Sequence, residues 1–112
     1  MKKTLSHLLP KKINVGGITY KITVDDIPQP PPMPNGGLME QFEIQGLCKF
    51  GEAHIQLGKH IQNEDILYSV FFHEITHALA QSLGFDFDEN DVQALSQGIF
   101  RLFKDNKWEW FK

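Results

Sequence analysis

The stretch VFFHEITHAL, residues 70–79, contains two histidines four positions apart and a glutamate directly after the first. Residues four apart on an α-helix differ in direction by about 40°, so the imidazoles of His73 and His77 are expected to lie one above the other. Neutral imidazole is a good zinc ligand, and a catalytic zinc usually takes three protein ligands and leaves one position to water. The pattern therefore predicts a metal centre in which Glu74 lies beside that water and accepts its proton.

The sequence around this motif predicts a long helix. Asn63 is a good N-cap, Glu64 and Asp65 would lie in the first turn, where the helix dipole favours acids, and Gly84 is a plausible stop. The spacing between these two ends is helical rather than alternating. The apolar positions with this spacing are Ile66, Leu67, Val70, Phe71, Ile75, Ala78 and Leu79.

A second helix is predicted to begin near residues 88–90 and to run to about Lys104. Its apolar stripe is expected to comprise Val92, Leu95, Ile99, Leu102 and Phe103.

The N-terminal half shows strand patterns instead. Residues 13–15 and 18–24 flank Gly16 and Gly17, which predicts a two-residue β-hairpin. Residues 25–37 hold five of the six prolines and are expected to form an extended connecting loop. Short strands are predicted at 40–45 and in the segments LCKF and AHIQL. The whole chain, residues 1–112, is thus interpreted as one α+β domain, with an antiparallel or mixed sheet of about three to five strands and two helices packed on one face.

Composition limits the function. The net charge of −3 argues against direct nucleic-acid binding, and no apolar run approaches the roughly 20 residues that span a bilayer. The first residues are too short and polar for a signal peptide. The single cysteine, Cys48, cannot form an internal disulfide and is expected to be a buried or half-buried apolar side chain. A cytoplasmic protein is therefore expected.

The motif Val70-Phe71-Phe72-His73-Glu74-Ile75-Thr76-His77-Ala78-Leu79 resembles the extended HExxH signature of the zincin metallopeptidases. Over residues 10 to 106 the chain is similar to small phage-type members related to the ImmA/IrrE and SprT-like proteins, in which a strand like His54-Ile55-Gln56-Leu57 precedes the HExxH helix. The resemblance implies a minimal zincin-like fold, a zinc cofactor and hydrolysis of peptide bonds in a protein or peptide substrate.

The resemblance also narrows the third ligand. The metzincin continuation is excluded, because Ala80 and Leu83 stand where it needs a glycine and a histidine. In zincins with a glutamate ligand, a pattern like E-x-x-V-x-x-L-[AS] carries it, and residues 89–96 match this pattern, so Glu89 is the implied ligand. The other acids of this segment remain alternatives, namely Asp86, Asp88 and, ahead of those two, Asp91.

Several questions stay open at this stage. A peptide substrate is expected to lie along an edge strand before the HExxH helix. Tyr68, His54 and Arg101 are unassigned candidates for stabilising the oxyanion. The alternative function is a non-catalytic interaction module of the same fold, with a structural or vestigial metal site, in which the proline-rich loop or the WEWF segment at 108–111 binds a partner.

Overall fold

The computed structural model describes residues 5–27 and 45–106, and it confirms the α+β class with a small sheet followed by two helices. Two short 3-10 helices span Ser6–Leu8 and Phe50–Glu52. The principal elements are β1 (Lys12–Val15), β2 (Ile18–Asp25), β3 (Gly46–Lys49), β4 (His54–Gly58), α1 (Glu64–Leu83) and α2 (Glu89–Asp105).

The strands form one mixed sheet in the order β1-β2-β4-β3. β1 and β2 are the predicted hairpin, in which Gly16 and Gly17 adopt the positive φ angles, 59° and 85°, that a tight two-residue turn requires. β4 pairs in parallel with β2 and antiparallel with β3. The strand before the first helix is therefore in the interior of the sheet. Among the described strands, β1 and β3 are at the two edges of the sheet.

One face of the sheet forms the core with α1. Ile55 and Leu57 of β4 are completely buried, and they alternate with less buried residues that point to the opposite face. α1 contributes residues from several of its sides, because it lies between the sheet and α2. The central apolar residues are Tyr20, Ile22, Ile55, Leu57, Leu67, Phe71 and Ala78.

The ends of α1 are those that the sequence predicts. The Asn63 side chain accepts a hydrogen bond from the Ile66 amide at 3.0 Å. At the other end Gly84 adopts the left-handed conformation, with φ of 72°, and the Phe85 amide donates to the Ala80 carbonyl at 3.0 Å. This Schellman arrangement satisfies the last carbonyls of the helix and turns the chain back toward α1.

α2 begins at a capping box. The Asp91 amide donates to Asp88 Oδ1 at 2.8 Å, and the Asp88 amide donates to Asp91 Oδ2 at 3.4 Å. α2 then packs mainly against α1 rather than on the sheet, and the Phe72 and Phe103 rings lie 4.9 Å apart. This refines the predicted arrangement, in which both helices lay on the sheet.

The predicted apolar stripe of α2 is partly wrong. Val92 is fully buried, but Leu95 and Leu102 are 44% and 50% exposed. Ser96, which the sequence analysis did not place in the stripe, is completely buried. Because a serine side chain is small, its burial allows the two helix backbones to approach closely, and the buried face passes through Ser96 rather than through the leucines.

Several predictions fall outside the described residues. These are the strand at 40–45 apart from Gln45, the proline-rich loop beyond Ile27, and the WEWF segment at 108–111. Within residues 5–27 and 45–106, neither helix combines the length and apolar character needed to cross a membrane.

Candidate metal centre

The structure brings His73, His77 and Glu89 together where the second half of α1 packs against the first turn of α2. His73 Nε2 lies 3.2 Å from Glu89 Oε2, and His77 Nε2 lies 2.9 Å from Glu89 Oε1. One potential ligand atom from each residue lies within 4.8 Å of the other two. The two histidines are partly buried while the Glu89 side chain is 71% exposed, so the group opens to solvent. These three side chains can hold a metal ion.

The two helices contribute to this group in different ways. The histidines meet because they are one turn apart on α1, and their ring centroids are 5.0 Å from each other. Glu89 is the first residue of α2, and its position depends on the reversal of the chain between Gly84 and Asp88. The local sequence thus presets two donors, and tertiary packing adds the third.

Among the acids considered as the third ligand, Asp88 and Asp91 are engaged elsewhere. Their carboxylates form the capping box and satisfy the backbone at the start of α2. Asp86 is exposed in the connection between the helices and is not part of the convergent group. Of these acids only Glu89 faces both imidazoles.

Glu74 lies beside the group but is buried, with 7% of its surface exposed. Burial raises the pKa of its carboxyl to about 7, and repulsion from the charge of Glu89 adds to the shift. It is 100° around the helix from His73 and therefore faces β3 rather than the space between the imidazoles. Such a carboxyl suits proton transfer near neutral pH.

The edge strand β3 approaches Glu74 at Gly46. A β-carbon at this position would lie 2.7 Å from Val70 Cγ1 and 3.3 Å from Glu74 Oε2. Because glycine has no β-carbon, the strand backbone can lie directly beside the buried carboxylate. Cavities of about 440 Å³ and about 270 Å³ meet here, and Gly46, His73 and Glu74 line both of them. β3, an edge strand that precedes α1 in the chain, therefore borders the cleft, whereas β4 does not. That a peptide substrate follows an edge strand before this helix stays a prediction.

Gln93 is a site residue that the sequence analysis missed. Its Oε1 lies 3.0 Å from His73 Nδ1, so an Nδ1–H of His73 can donate to it. This contact would fix the imidazole in the tautomer that leaves Nε2 available to a metal. The sequence does contain a signal for this residue: Gln93 follows Glu89 by one helical turn and therefore lies on the same face of α2.

The three candidates for oxyanion stabilisation lie away from the site. Tyr68 is buried and its hydroxyl donates to the Leu8 carbonyl at 3.1 Å. Arg101 is exposed on α2, about 18 Å along the helix from Glu89. His54 alternates with the buried Ile55 and so points to the opposite face of the sheet, where its Nε2 lies 2.6 Å from Thr23 Oγ1.

Cys48 faces the cleft as a half-buried thiol, as the sequence predicts. Burial raises the pKa of this thiol to about 12, and the nearby charge of Glu74 contributes. The protonated thiol is a poor nucleophile and a poor metal ligand.

Another groove, of about 630 Å³, lies between the N-terminal segment and β2 and is not lined by any of His73, Glu74, His77 or Glu89. We therefore place the candidate site in the cleft beside β3, where the potential ligands and the buried acid meet. Comparison of the chain with protein-family models, curated proteins and solved structures found no match. The functional argument consequently rests on the chemistry of the site.

Replacing Gln93 with leucine should weaken zinc binding by about 10- to 100-fold, because His73 loses the acceptor that fixes its tautomer. Gln93→Glu, which keeps an acceptor, should retain most of the affinity. Gln97→Leu is the matched control, since Gln97 also bonds to α1 but contacts Ser69 instead of a histidine. Competition titrations with a zinc chelator measure the affinities. Equal affinities of the parent and Gln93→Leu would contradict the role given to this residue.

Replacing Gly46 with alanine should lower the free energy of unfolding by about 1–3 kcal/mol, because the added methyl group must displace Val70 or Glu74. Gly51→Ala is the control, because a β-carbon there meets nothing within 4 Å. Urea unfolding of both variants makes the comparison. A Gly46→Ala protein as stable as Gly51→Ala would show that β3 does not approach α1 as closely as described.

Proposed function

We propose that the protein is a zinc-dependent metallopeptidase that uses His73, His77 and Glu89 as metal ligands and Glu74 as its general base. The observation that carries the proposal is the buried Glu74 carboxyl, which lines the same cavity as all three potential ligands. A metal site by itself is compatible with many functions, including purely structural ones. A proton acceptor that lines the same cavity as the ligands, but is not itself one of them, is what hydrolysis requires.

The donor set fits zinc. Two ligand atoms bound to a tetrahedral zinc ion at 2.0–2.1 Å lie about 3.3 Å apart. His73 Nε2 and His77 Nε2 lie 3.2 Å and 2.9 Å from different oxygens of Glu89, and the three donor atoms lie within 4.8 Å of one another, so small side-chain movements would bring them to this spacing. Structural zinc sites usually have four protein ligands, whereas catalytic sites have three. The three donors gathered among the described residues therefore favour the catalytic type over a structural metal in a binding module.

Bound zinc would supply Lewis acidity, which polarises a substrate carbonyl and makes water more acidic. Glu74 would accept the proton of the attacking water and return it to the nitrogen of the leaving amine. Because burial raises the pKa of the Glu74 carboxyl to about 7, this group can both take up and release a proton near neutral pH. Gln93 would hold His73 in orientation through this cycle.

The substrate would be a peptide segment in extended conformation. β3 pairs with β4 on one side, and none of the described strands pairs with its other side. An extended peptide could add to this edge through backbone hydrogen bonds, which would bring a peptide bond over Gly46 and beside Glu74. The single cysteine, Cys48, cannot form an internal disulfide, which fits a cytoplasmic enzyme, and the resemblance to phage-type peptidases suggests a host or phage protein as the target.

The decisive variant is Glu74→Gln, which removes the base but none of the proposed ligands. It should bind zinc in a one-to-one ratio like the parent and lose at least about 100-fold in the rate of peptide hydrolysis. Glu64→Gln, at an exposed acid in the first turn of the same helix, is the control and should retain activity. Metal content is measured by elemental analysis, and cleavage by mass spectrometry on a protein-digest peptide library.

The same experiment separates the enzyme from the interaction module. Zinc in both proteins with cleavage only by the parent supports the peptidase. Zinc in both proteins without cleavage by either would instead indicate the non-catalytic module, and equal cleavage by both would exclude Glu74 as the base.

A further inference from the structure

The smaller cavity beside the metal centre has a polar wall formed by both helices. It measures about 270 Å³ and extends from His73 and Glu74 along α1, away from His77. Its other lining residues include Gln45, Ser69, Val70 and Gln93. The chemistry of hydrolysis described above uses His73 and Glu74 but leaves this extension of the cleft without a role.

Ser69 can donate a hydrogen bond into this cavity. Its Oγ accepts a hydrogen bond from Gln97 Nε2 at 2.7 Å. The contact holds the serine oxygen in place, and the hydroxyl proton is directed away from Gln97. A fixed oxygen with a proton to donate is a suitable partner for an acceptor on a ligand.

Gln93 offers a second donor on the same wall. Its side-chain oxygen is the atom that faces His73 Nδ1, at 3.0 Å. The amide nitrogen, with two N–H groups, is therefore on the other branch of the side chain. Gln93 of α2 contacts His73, and Ser69 lies one turn before His73 on α1. The two donors are therefore about one helical turn apart along the wall of the cavity.

These donors and the neighbouring acids select the chemistry of the ligand. An apolar side chain would cover the donors without satisfying them, which costs about 1–3 kcal/mol per group. A carboxylate has acceptors only, so it cannot donate to the side-chain oxygen of Gln45, and an ionised Glu74 would repel it. An ammonium group has only donors and cannot accept from Ser69 or Gln93. A carboxamide accepts through its oxygen, donates through its nitrogen and carries no charge.

We propose that this cavity is a specificity pocket for an asparagine or glutamine side chain next to the scissile peptide bond. The carboxamide oxygen would accept from the Ser69 hydroxyl and the Gln93 amide, and its NH₂ group would donate to the side-chain oxygen of Gln45. This inference rests on the proposed peptidase function, because it assumes that a peptide lies along β3. It names a substrate class for that site, and Ser69 as a residue that determines specificity.

Binding of peptide hydroxamates to the zinc-loaded protein tests the pocket without relying on turnover. The probes are short peptides that carry a hydroxamate as the zinc-binding group and differ only in one side chain, glutamine, methionine, glutamate or lysine. The variable residue is placed on either side of the hydroxamate in two parallel series. Isothermal titration calorimetry gives the affinities. In one series, the glutamine probe should bind about tenfold more tightly than the methionine probe, which is similar in length and lacks hydrogen-bonding atoms.

Two serine variants on α1 test whether Ser69 causes the preference for glutamine. Ser69→Ala should reduce the preference for glutamine over methionine to about threefold or less, because the glutamine probe loses a donor and the methionine probe no longer covers an unpaired hydroxyl. Ser82→Ala, also on α1 but not lining the cavity, should keep the full preference. Equal binding of glutamine and methionine in both series, tighter binding of lysine or glutamate, or a preference that survives Ser69→Ala would each overturn the proposal.

The outcomes for the pocket and for the proposed function remain distinct. Cleavage of peptides without any preference among the hydroxamates would leave the peptidase intact and remove the pocket. A glutamine preference in a protein that cleaves no peptide would support the pocket as a binding site and reject hydrolysis.

Discussion

The candidate site depends on the register in which α1 packs against α2. Three polar contacts follow this register: His77 with Glu89 at 2.9 Å, His73 with Gln93 at 3.0 Å, and Ser69 with Gln97 at 2.7 Å. Each step of four residues along α1 is matched by a step of four residues in the opposite direction along α2. A shift of one residue would rotate Glu89 by 100° and remove it from the histidines. The left-handed Gly84 and the Asp88 cap fix the ends of the helices and so determine this register.

The proposed peptidase activity would place two conflicting requirements on α1. Metal ligands need access to an ion and to solvent, whereas a general base with a raised pKa needs burial. His73 and His77 lie on the open side of α1 next to α2, and Glu74 lies 100° away on the side that β3 covers. Gly46 makes this cover possible without a clash. The arrangement separates the two roles within one turn of helix, which suits a chain with a core as small as this one.

What could be predicted from the sequence was mostly local. The convergence of His73 and His77, the Asn63 cap and the Gly84 stop follow from helix geometry within a few residues, and the structure has them as predicted. The position of Glu89 followed from a resemblance, because no local rule fixes how two helices are aligned. Gln93 was missed for the same reason, and the choice between Asp91 and Glu89 required the capping box to be seen.

The errors had a related origin. The stripe on α2 was defined by hydropathy, but close packing favoured the small Ser96 over Leu95 and Leu102. His54 was one of three unassigned candidates for stabilising the oxyanion, but alternation along the strand points it to the other face of the sheet, and the parallel pairing with β2 places β4 inside the sheet. Strand order and side-chain direction both depend on pairing partners distant in the chain, which hydropathy patterns do not encode.

X-ray absorption spectroscopy of the zinc-loaded protein tests the central claim most directly, because it reports the atoms bound to the ion. The account predicts a first shell of nitrogen and oxygen at about 2.0–2.2 Å with two imidazole contributions, and loss of stoichiometric zinc when Glu89 is replaced by alanine. A sulfur shell at about 2.3 Å, or an unchanged zinc environment in Glu89→Ala, would show that the helices do not bring these three residues to one metal ion.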